Sequence, residues 1–209
     1  FPGLSVFIET DYMPSEIIFQ LKNCVEKAPE RKNGYQKIMI AVNLDAAEAS
    51  VFSKIRGRPE SDFNQTVKNI QELASSFPDS IYPQFVRLNE NENELENFYR
   101  FWNEKTNPSN GNLIIQKYNS FCKTLPERKL ADLSPVERNV CGHLRRDMNI
   151  LSNGDVTFCH CLFGKIVGNV FETELKEIWK YSDEEIKNHS EKNYCKKCGD
   201  CDEYYTFNF

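Results

Sequence analysis

The stretch that decides the fold of the carboxyl-terminal part of this chain is Leu151–Cys159, whose sequence is LSNGDVTFC. Asn153 and Gly154 lie between two short runs of apolar and β-branched residues. An Asn-Gly pair in this setting indicates a β-hairpin, because both residues tolerate the positive φ that a tight turn requires. The sequence therefore predicts a hairpin whose second strand leads directly into Cys159.

Cysteines around this hairpin indicate a metal site. The 209-residue chain has eight cysteines, and six of them lie in its last third: Cys141, Cys159, Cys161, Cys195, Cys198 and Cys201. Cysteines with two residues between them can reach one metal centre, and a metal site explains three cysteines so close together better than a network of disulfides does. The hairpin brings Cys141 and Cys159 toward a site that Cys195 and Cys198 complete. Four thiolates suit either a zinc ion or a [4Fe–4S] cluster, and the spacing alone does not distinguish the two.

Two further cysteines and the three histidines are not assigned to this site. Cys24 lies on the apolar face of a predicted helix, so we expect it to be part of the core. Cys122 lies in a loop-like stretch and is either a ligand or without a role in the site, and the second interpretation is favoured. His143 and His160 are near the expected metal site and are candidate proton carriers or ligands, but a surface position is the favoured interpretation for both, and we expect His189 to be solvated in a polar helix.

Strands and helices alternate from residue 4 to about 117. Apolar runs predict strands at Leu4–Ile8, Ile38–Val42, Phe85–Leu88 and Leu113–Ile115, and apolar residues at helical spacing predict helices between them. Continuous apolar runs are typical of parallel strands that are buried on both faces. We expect Asp62 and Gln65 to cap the second helix and Pro78 to end it. The pattern predicts an α/β fold with a parallel sheet and right-handed crossovers.

Composition divides the chain into three parts. Residues 118–140 are polar, contain Pro126 and Pro135, and are predicted to link a domain at 1–117 to a domain at 141–209. A net charge of −5 with interspersed signs argues against nucleic acid as a partner. No apolar run approaches the roughly 20 residues that span a bilayer, so we expect a cytoplasmic protein without a membrane partner. Because the chain starts at Phe1, we also expect it to be a piece of a longer polypeptide.

Residues 141–201 resemble the SPASM (twitch-like) domain that follows the barrel of many radical S-adenosylmethionine (SAM) enzymes. The shared features are the first cysteine, the hairpin ending at Cys159, the Gly168-Asn169 turn, the LKEIW helix at Leu175–Trp179 and the terminal C-x2-C. The resemblance implies an auxiliary [4Fe–4S] cluster beside a substrate pocket. It implies ligation by Cys141, Cys159, Cys195 and Cys198, with Cys201 as the next choice. Cys161 and Cys201 are then spare ligands or members of a partial second site, and the subgroup that fits best is the spirochaetal one.

The amino-terminal part resembles the later barrel of the same enzymes. Asn43-Leu44-Asp45, Arg56-Gly57 and Asn69-Ile70 are similar to the S-L-D, R-G and N-I elements of that region. The implied fold is the carboxyl-terminal part of a partial (β/α)6 barrel followed by a small hairpin-plus-helix iron–sulfur domain. Asn43, Asp45 and Arg56 are candidates to contact SAM at the carboxyl ends of the strands, although ordinary turn and cap chemistry also explains them. Glu9-Thr10-Asp11 ends the first strand at the same edge, and an ordinary strand end is the simpler interpretation there.

The C-x3-C-x2-C motif that binds the catalytic cluster in this family is absent from the sequence. We therefore expect that the chain does not cleave SAM alone. The resemblance implies that the intact parent abstracts hydrogen from a substrate through a 5′-deoxyadenosyl radical. The parent would then contain a second [4Fe–4S] cluster and use an electron donor such as ferredoxin or flavodoxin. A peptide or protein is the expected substrate. The alternative is a zinc-stabilised, non-catalytic binding module with a structural site of four cysteines.

Overall fold

A four-stranded parallel sheet forms the centre of the amino-terminal unit, Phe1–Lys117. The computed structural model describes residues 4–31, 34–104, 109–128, 140–159, 161 and 165–201. The strands lie side by side in chain order: β1 (Val6–Thr10), β2 (Ile38–Asn43), β3 (Ile81–Arg87) and β4 (Ile114–Lys117). All three neighbouring pairs are parallel, which confirms the predicted α/β class and parallel sheet.

Four helices connect the strands: α1 (Ser15–Lys27), α2 (Ala49–Arg56), α3 (Glu60–Ser76) and α4 (Leu95–Asn103). The predicted cap of α3 is wrong, because the helix begins at Glu60 directly after Pro59. Proline suits this position, since its fixed φ is compatible with a helix start and no amide hydrogen is needed there. Asp62 instead accepts a hydrogen bond from the Arg58 Nε atom at 3.1 Å. The helix ends two residues before Pro78, as predicted.

The helices pack on one face of the sheet. Alternate strand residues form the core with them: Ile38, Ile40, Val42, Ile81 and Phe85 meet Phe52, Ile70, Leu73, Phe98 and Trp102. Because side chains alternate along a strand, the residues between them lie on the opposite face. Near the carboxyl ends of the strands, that opposite face carries the polar side chains of Glu9, Asn43 and Gln84. The sheet therefore has an apolar face that packs on helices and a second face with polar groups at one end.

One buried amide joins α3 to the segment before α1. The Asn69 Nδ2 atom donates a hydrogen bond to the Met13 carbonyl oxygen at 2.8 Å, and Asn69 Oδ1 accepts one from the Met13 amide at 3.0 Å. Both side-chain groups of Asn69 are thus satisfied by one backbone unit, as buried polar groups require. This explains the asparagine that precedes Ile70 in α3.

The carboxyl-terminal unit, Tyr118–Phe209, has a small antiparallel sheet. Its strands are β5 (Asn149–Ile150), β6 (Asp155–Thr157) and β7 (Gly168–Asn169), and its helices are α5 (Leu175–Trp179), α6 (Ser182–Ser190) and α7 (Lys196–Gly199). A 3₁₀ turn at Gly142–Arg145 precedes the sheet. Strands β5 and β6 pair as the predicted hairpin, and Gly154 has a φ of +86° in its turn. The helix predicted at Leu175–Trp179 is confirmed.

The core of this unit is small and aromatic. Phe158 packs edge-on against Trp179, with ring centroids 5.6 Å apart. Val156, Phe158 and Ile178 are almost fully buried. The predicted linker is described only up to residue 128, and its described residues belong to this unit, where Tyr118 is buried and donates a hydrogen bond to the Pro126 carbonyl at 2.7 Å. Across the described parts of both units, no helix is long and apolar enough to cross a bilayer.

Candidate metal centre

Three cysteines from distant parts of the chain meet in the carboxyl-terminal unit. The sulfur atoms of Cys122, Cys161 and Cys201 all lie within 4.8 Å of one another, and Cys161 Sγ is 4.0 Å from Cys201 Sγ. Cys122 and Cys161 are buried, and Cys201 is half-buried. We call this group the cysteine trio. Three convergent, shielded thiols are a donor set that suits an iron–sulfur cluster or zinc.

A tight turn places Cys122 in the trio. Phe121, Cys122 and Lys123 all have left-handed backbone conformations, with φ values of 49°, 56° and 60°. The Thr124 amide closes the turn by donating a hydrogen bond to the Ser120 carbonyl at 3.0 Å. Left-handed φ is unusual for residues with a side chain and is often found at functional sites. The expectation that Cys122 has no part in the site is wrong.

A second pair of sulfurs lies at the start of α7. Cys195 Sγ is 3.4 Å from Cys198 Sγ, and the Cys198 amide donates a hydrogen bond to the Cys195 carbonyl at 3.0 Å. Cys198 Sγ is also 3.9 Å from the Nε2 atom of His189 on α6. His189 is buried, so the expectation of a solvated histidine is wrong. Burial lowers the pKa of His189, which favours the neutral imidazole that can bind a metal.

Cys141 and Cys159 flank the hairpin and are both half-buried. Cys159 follows β6, and its amide donates a hydrogen bond to the Thr157 Oγ1 atom at 3.1 Å. Cys141 precedes the 3₁₀ turn. Burial raises the pKa of the Cys141 thiol, and hydrogen bonds from the backbone amides of His143 and Leu144 oppose this effect.

Crowding of the sulfurs disfavours their charged forms. Burial and the neighbouring Cys201 raise the pKa of Cys122 to about 12. The hydrogen bond with Cys201, followed by burial, raises the pKa of Cys161, and burial together with Cys195 raises that of Cys198. Several thiolates cannot share so small a space unless a cation compensates their charge, and a bound metal does this. The donor set therefore fits a metal or a cluster.

A cavity of about 320 Å³ adjoins these groups. Its walls include five of the cysteines and one histidine: Cys122, Cys159, Cys195, Cys198, Cys201 and His189. The volume lies at the lower end of the range for small-molecule sites. The unit thus combines seven cysteines, two close groups of sulfurs and an adjoining space.

Cys24 and His143 lie elsewhere than the sequence predicted. Cys24 is exposed on α1, so the prediction that it fills the core is wrong; Ile18 is the buried residue of that helix. His143 is buried as well, and its Nδ1 atom pairs with the Asp147 carboxylate, so its predicted surface position is wrong. His160 lies outside the described residues.

At the carboxyl end of the parallel sheet, the residues predicted to contact SAM form one hydrogen-bonded network. The Arg56 guanidinium donates to Asp45 Oδ2 at 3.0 Å and also pairs with Asp11. Asp45 Oδ1 accepts the Val86 amide at 2.7 Å, and Asn43 Nδ2 donates to Asp11 Oδ1 at 3.0 Å. Burial raises the pKa of Asp45, against the opposing effects of the Val86 amide and Arg56. Asp45 and Arg56 therefore organise this edge, and Asp11 takes part with them.

Gln84 belongs to the same network and was not predicted. Its Nε2 atom donates hydrogen bonds to Glu9 Oε1 at 2.8 Å and to Asn43 Oδ1 at 2.7 Å. The side chain is fully buried, and its Oε1 atom accepts no hydrogen bond from any residue that the structure describes. A glutamine inside an apolar strand was the available sequence signal, because a buried amide requires polar partners.

Comparison with known proteins agrees with the metal centre. Residues 141–202 match the family model of SPASM, an iron–sulfur cluster-binding domain. The carboxyl-terminal unit therefore contains a SPASM domain, with cysteines that suit an iron–sulfur cluster.

An uncharacterized protein of Treponema pallidum (strain Nichols) is 36% identical over 219 residues, which cover 100% of this chain and 58% of the relative. The chain thus spans 58% of the length of the curated relative that it matches. No solved structure shows a significant match.

Proposed function

We propose that the SPASM domain holds an auxiliary [4Fe–4S] cluster and that the chain is the substrate-side part of a radical SAM enzyme. The observation that carries the proposal is the convergence of Cys122, Cys161 and Cys201 in a unit whose residues 141–202 match the iron–sulfur SPASM model. Thiolates are the ligands of such clusters, and each of the four irons takes one. The trio supplies three of them.

Cys141 is the proposed fourth ligand. It is half-buried, and among the thiols that influence it electrostatically Cys201 has the largest effect. This assignment leaves Cys159, Cys195 and Cys198 outside the cluster. When bound, the cluster supplies a redox centre or a fixed point against which a substrate is positioned. The chain itself shields part of the site, because Cys122 and Cys161 are buried.

The parallel sheet is the proposed later part of a partial (β/α)6 barrel. Strands in chain order with helices on one face support this arrangement, since each strand of such a barrel lies next to the one that follows it. Asn43, Asp45 and Arg56 are then the proposed contacts to SAM at the carboxyl ends of the strands. In this role Arg56 holds Asp11 and Asp45 in place, and the Asn43 amide hydrogen-bonds to Asp11 and Gln84 at the polar face.

The reaction proposed for the whole enzyme is hydrogen abstraction from a peptide or protein substrate by a 5′-deoxyadenosyl radical, with ferredoxin or flavodoxin as electron donor. The Treponema relative is longer than this chain, which is compatible with further catalytic elements in such a protein. The proposal includes no nucleic-acid or membrane partner.

The test is analysis of iron, zinc and acid-labile sulfide in the chain after anaerobic purification and reconstitution. We expect about four irons and four sulfides per chain, with a broad absorption band at roughly 400 nm that bleaches on reduction. A chain that takes up zinc but neither iron nor sulfide under these conditions would contradict the proposal.

The second candidate function is a zinc-stabilised binding module. The observation that favours it is the 3.4 Å separation of Cys195 Sγ and Cys198 Sγ, because ligands so close suit one shared metal ion. In that case the cysteines only stabilise the fold, and the metal-free unit unfolds. The same metal analysis separates the two candidates.

A further inference from the structure

Gln84 is a buried side chain with one hydrogen-bonding group that is not used. Its Nε2 atom uses both hydrogens, donating to Glu9 Oε1 at 2.8 Å and to Asn43 Oδ1 at 2.7 Å. The side chain is fully buried, and its Oε1 atom accepts no hydrogen bond from any residue in the described parts of the chain. A buried acceptor without a donor is costly and rare in folded proteins. A ligand that brings a donor to this oxygen would remove that cost.

The neighbours of Gln84 fix the orientation of its amide. Asn43 Nδ2 donates a hydrogen bond to Asp11 Oδ1 at 3.0 Å, so Asn43 presents its oxygen to Gln84. The Glu9 carboxylate, when charged, can only accept hydrogen bonds. Both neighbours therefore require the nitrogen of Gln84, and exchanging its oxygen and nitrogen would place oxygen against oxygen. The unused group is an acceptor, and a ligand has to supply the donor.

The charges at this edge of the sheet favour a positively charged donor. Glu9, Asp11 and Asp45 contribute three carboxylates, and Arg56 pairs with the second and third of them. Glu9 accepts a hydrogen bond from the neutral Gln84 amide and forms no ion pair with any residue that the structure describes. An unpaired carboxylate attracts a cation most strongly where water is partly excluded.

One ammonium group can reach both acceptors. The oxygen and nitrogen of an amide are about 2.2 Å apart, so Gln84 Oε1 lies within about 5 Å of Glu9 Oε1. An ammonium nitrogen placed between them can donate to each at about 2.8 Å. It has three N–H donors and no acceptor, which matches a carboxylate beside an amide oxygen.

A small residue of β2 lets the two acceptors meet. Glu9 on β1 and Gln84 on β3 are separated by β2, where Ala41 pairs with Glu9. Because neighbouring strands lie about 4.8 Å apart, the hydrogen bond between Glu9 and Gln84 has to cross over β2. The methyl group of Ala41 leaves room for this crossing, which a larger side chain would obstruct.

An apolar strip adjoins the acceptors on the same face of the sheet. Phe7 precedes Glu9 by two residues in β1, Tyr82 precedes Gln84 by two residues in β3, and Met39 of β2 pairs with Phe7. Side chains two positions apart in a strand lie on the same face. Phe7 is 51% exposed. Such a surface suits an alkyl chain that ends in a charge, since lysine stems pack on apolar groups in this way.

We infer that Glu9 and Gln84 bind the ammonium group of a lysyl side chain in a peptide, and that Phe7, Met39 and Tyr82 contact its methylene stem. The inference deepens the proposed function and rests on it for the choice of a peptide as the ligand. The ammonium site itself follows from the hydrogen bonds and charges at the sheet edge. Neither Glu9 nor Gln84 belongs to the proposed contacts to SAM.

Methionine methyl NMR of the full chain tests the inference. The chain has three methionines: Met13 in the core, Met39 on the proposed face and Met148 in the carboxyl-terminal unit. Titration with a tripeptide that has a central lysine and blocked ends should shift the Met39 methyl signal and leave the other two in place. Peptides with norleucine or Nε-acetyl-lysine at the centre keep the stem but lack the charge. They should bind at least about tenfold more weakly.

Two substitutions locate the ammonium group. Glu9→Gln removes the charge but keeps an acceptor for Gln84, so it should lower the affinity for the lysyl peptide at least about tenfold. Gln84→Leu removes the unused acceptor and should also weaken binding. Glu16→Gln is the matched control, because it removes the charge of an exposed carboxylate on α1, which packs on the other face of the sheet. It should leave the affinity unchanged. Unmoved Met13 and Met148 signals in each variant show that both units are folded.

The inference is overturned if the norleucine peptide binds as tightly as the lysyl peptide, or if Glu9→Gln and Gln84→Leu keep full affinity. A Met39 shift that SAM produces and that Glu9→Gln abolishes also overturns it, because the pair then binds the ammonium group of SAM.

Metal analysis of the same samples separates this inference from the proposed function. A chain that carries about four irons but does not bind the lysyl peptide rejects the inference and leaves the proposed function intact. A chain that takes up no iron but binds the peptide in a manner that depends on Glu9 supports the ammonium site and contradicts the proposed cluster.

Discussion

Lys123 donates a hydrogen bond to Asp200 at 2.7 Å, and this ion pair connects the neighbours of two trio cysteines, Cys122 and Cys201. The two residues are 77 positions apart in the sequence. Lys123 lowers the pKa of Asp200, so the carboxylate is charged over a wide pH range. The pair therefore joins the Cys122 turn to the end of α7.

Replacing Lys123 should loosen the cluster without removing a ligand. Lys123→Met is expected to lose iron to a chelator about two to three times faster than the unchanged chain at low salt, because the Cys122 turn is released. Since the pair is exposed, salt screens it and the difference should disappear near about 1 M salt. Lys68→Met removes an exposed lysine from the other unit and should leave the rate unchanged. A salt-independent difference would show that the lysine acts through packing instead.

Cys122 is a proposed cluster ligand in the structure, but it is not a ligand in the set that sequence spacing indicates. Substituting it therefore tests which set of ligands is correct. Cys122→Ser should prevent assembly of the proposed cluster and reduce bound iron from about four to below about one per chain. Cys24→Ser is the control, because this exposed thiol lies in the amino-terminal unit. Full iron loading in Cys122→Ser would exclude Cys122 from the cluster and return the assignment to the hairpin cysteines.

Gly168 should tolerate no side chain. A Cβ atom at this position would lie 2.9 Å from Ile178 Cγ1, and Ile178 is fully buried and cannot move aside. We expect Gly168→Ala to lower the free energy of unfolding of the carboxyl-terminal unit by about 1–3 kcal/mol. Urea denaturation followed by Trp179 fluorescence measures this. Gly142→Ala, which has open space around it, should be near neutral, and Gly168→Ala combined with Ile178→Val should recover part of the loss.

Removing Arg56 should destabilise the amino-terminal unit in a pH-dependent manner. Asp45 is buried and Arg56 compensates its charge, so Arg56→Gln is expected to cost about 3–5 kcal/mol at pH 7. The pKa of Asp45 is already raised by burial and rises further without Arg56. Because the pKa of Asp45 is higher in the folded than in the unfolded state, protonation of this carboxyl group stabilises the fold. That contribution is fully present at low pH and is lost as pH rises through the folded-state pKa.

The destabilisation by Arg56→Gln should therefore be largest at neutral pH and shrink toward pH 4. Fluorescence of the buried Trp102, measured in a Trp179→Phe background, follows unfolding of this unit. Lys54→Gln, an exposed change on the same helix, is the control and should show no such trend. A pH-independent loss in Arg56→Gln would mean that packing of the arginine matters more than the charge of Asp45.

Local patterns in the sequence were sufficient to predict the hairpin, the parallel sheet and the helix at Leu175–Trp179. The turn at Gly154 and the strands formed by the apolar runs depend mainly on residues adjacent in the sequence, so they can be predicted without knowledge of the fold. The glycine at 168 was part of the resemblance, and the structure supplies its reason, which is the close approach to Ile178.

The cysteine trio could not be predicted, because its members come together only through tertiary packing. No spacing rule connects Cys122 to Cys201, whereas Cys195 and Cys198 are recognisable as a local pair. The same limit explains His189, which lies in a polar stretch of sequence but is buried once α6 folds. It also explains Cys24, since an apolar stripe does not reveal which of its members face solvent.

The spread of the trio along the chain has a consequence for the entropy of the unfolded protein. Cys161 and Cys201 alone are 40 residues apart, and a centre that holds both closes a long loop, as a disulfide does. Cross-links over loops of this length are worth on the order of 3–5 kcal/mol in the chain-entropy model. Loading with metal thus acts as a reversible cross-link. The core around Phe158 and Ile178 is small and buries little apolar area. Closing the loop through a bound metal therefore adds stability that this core alone does not provide.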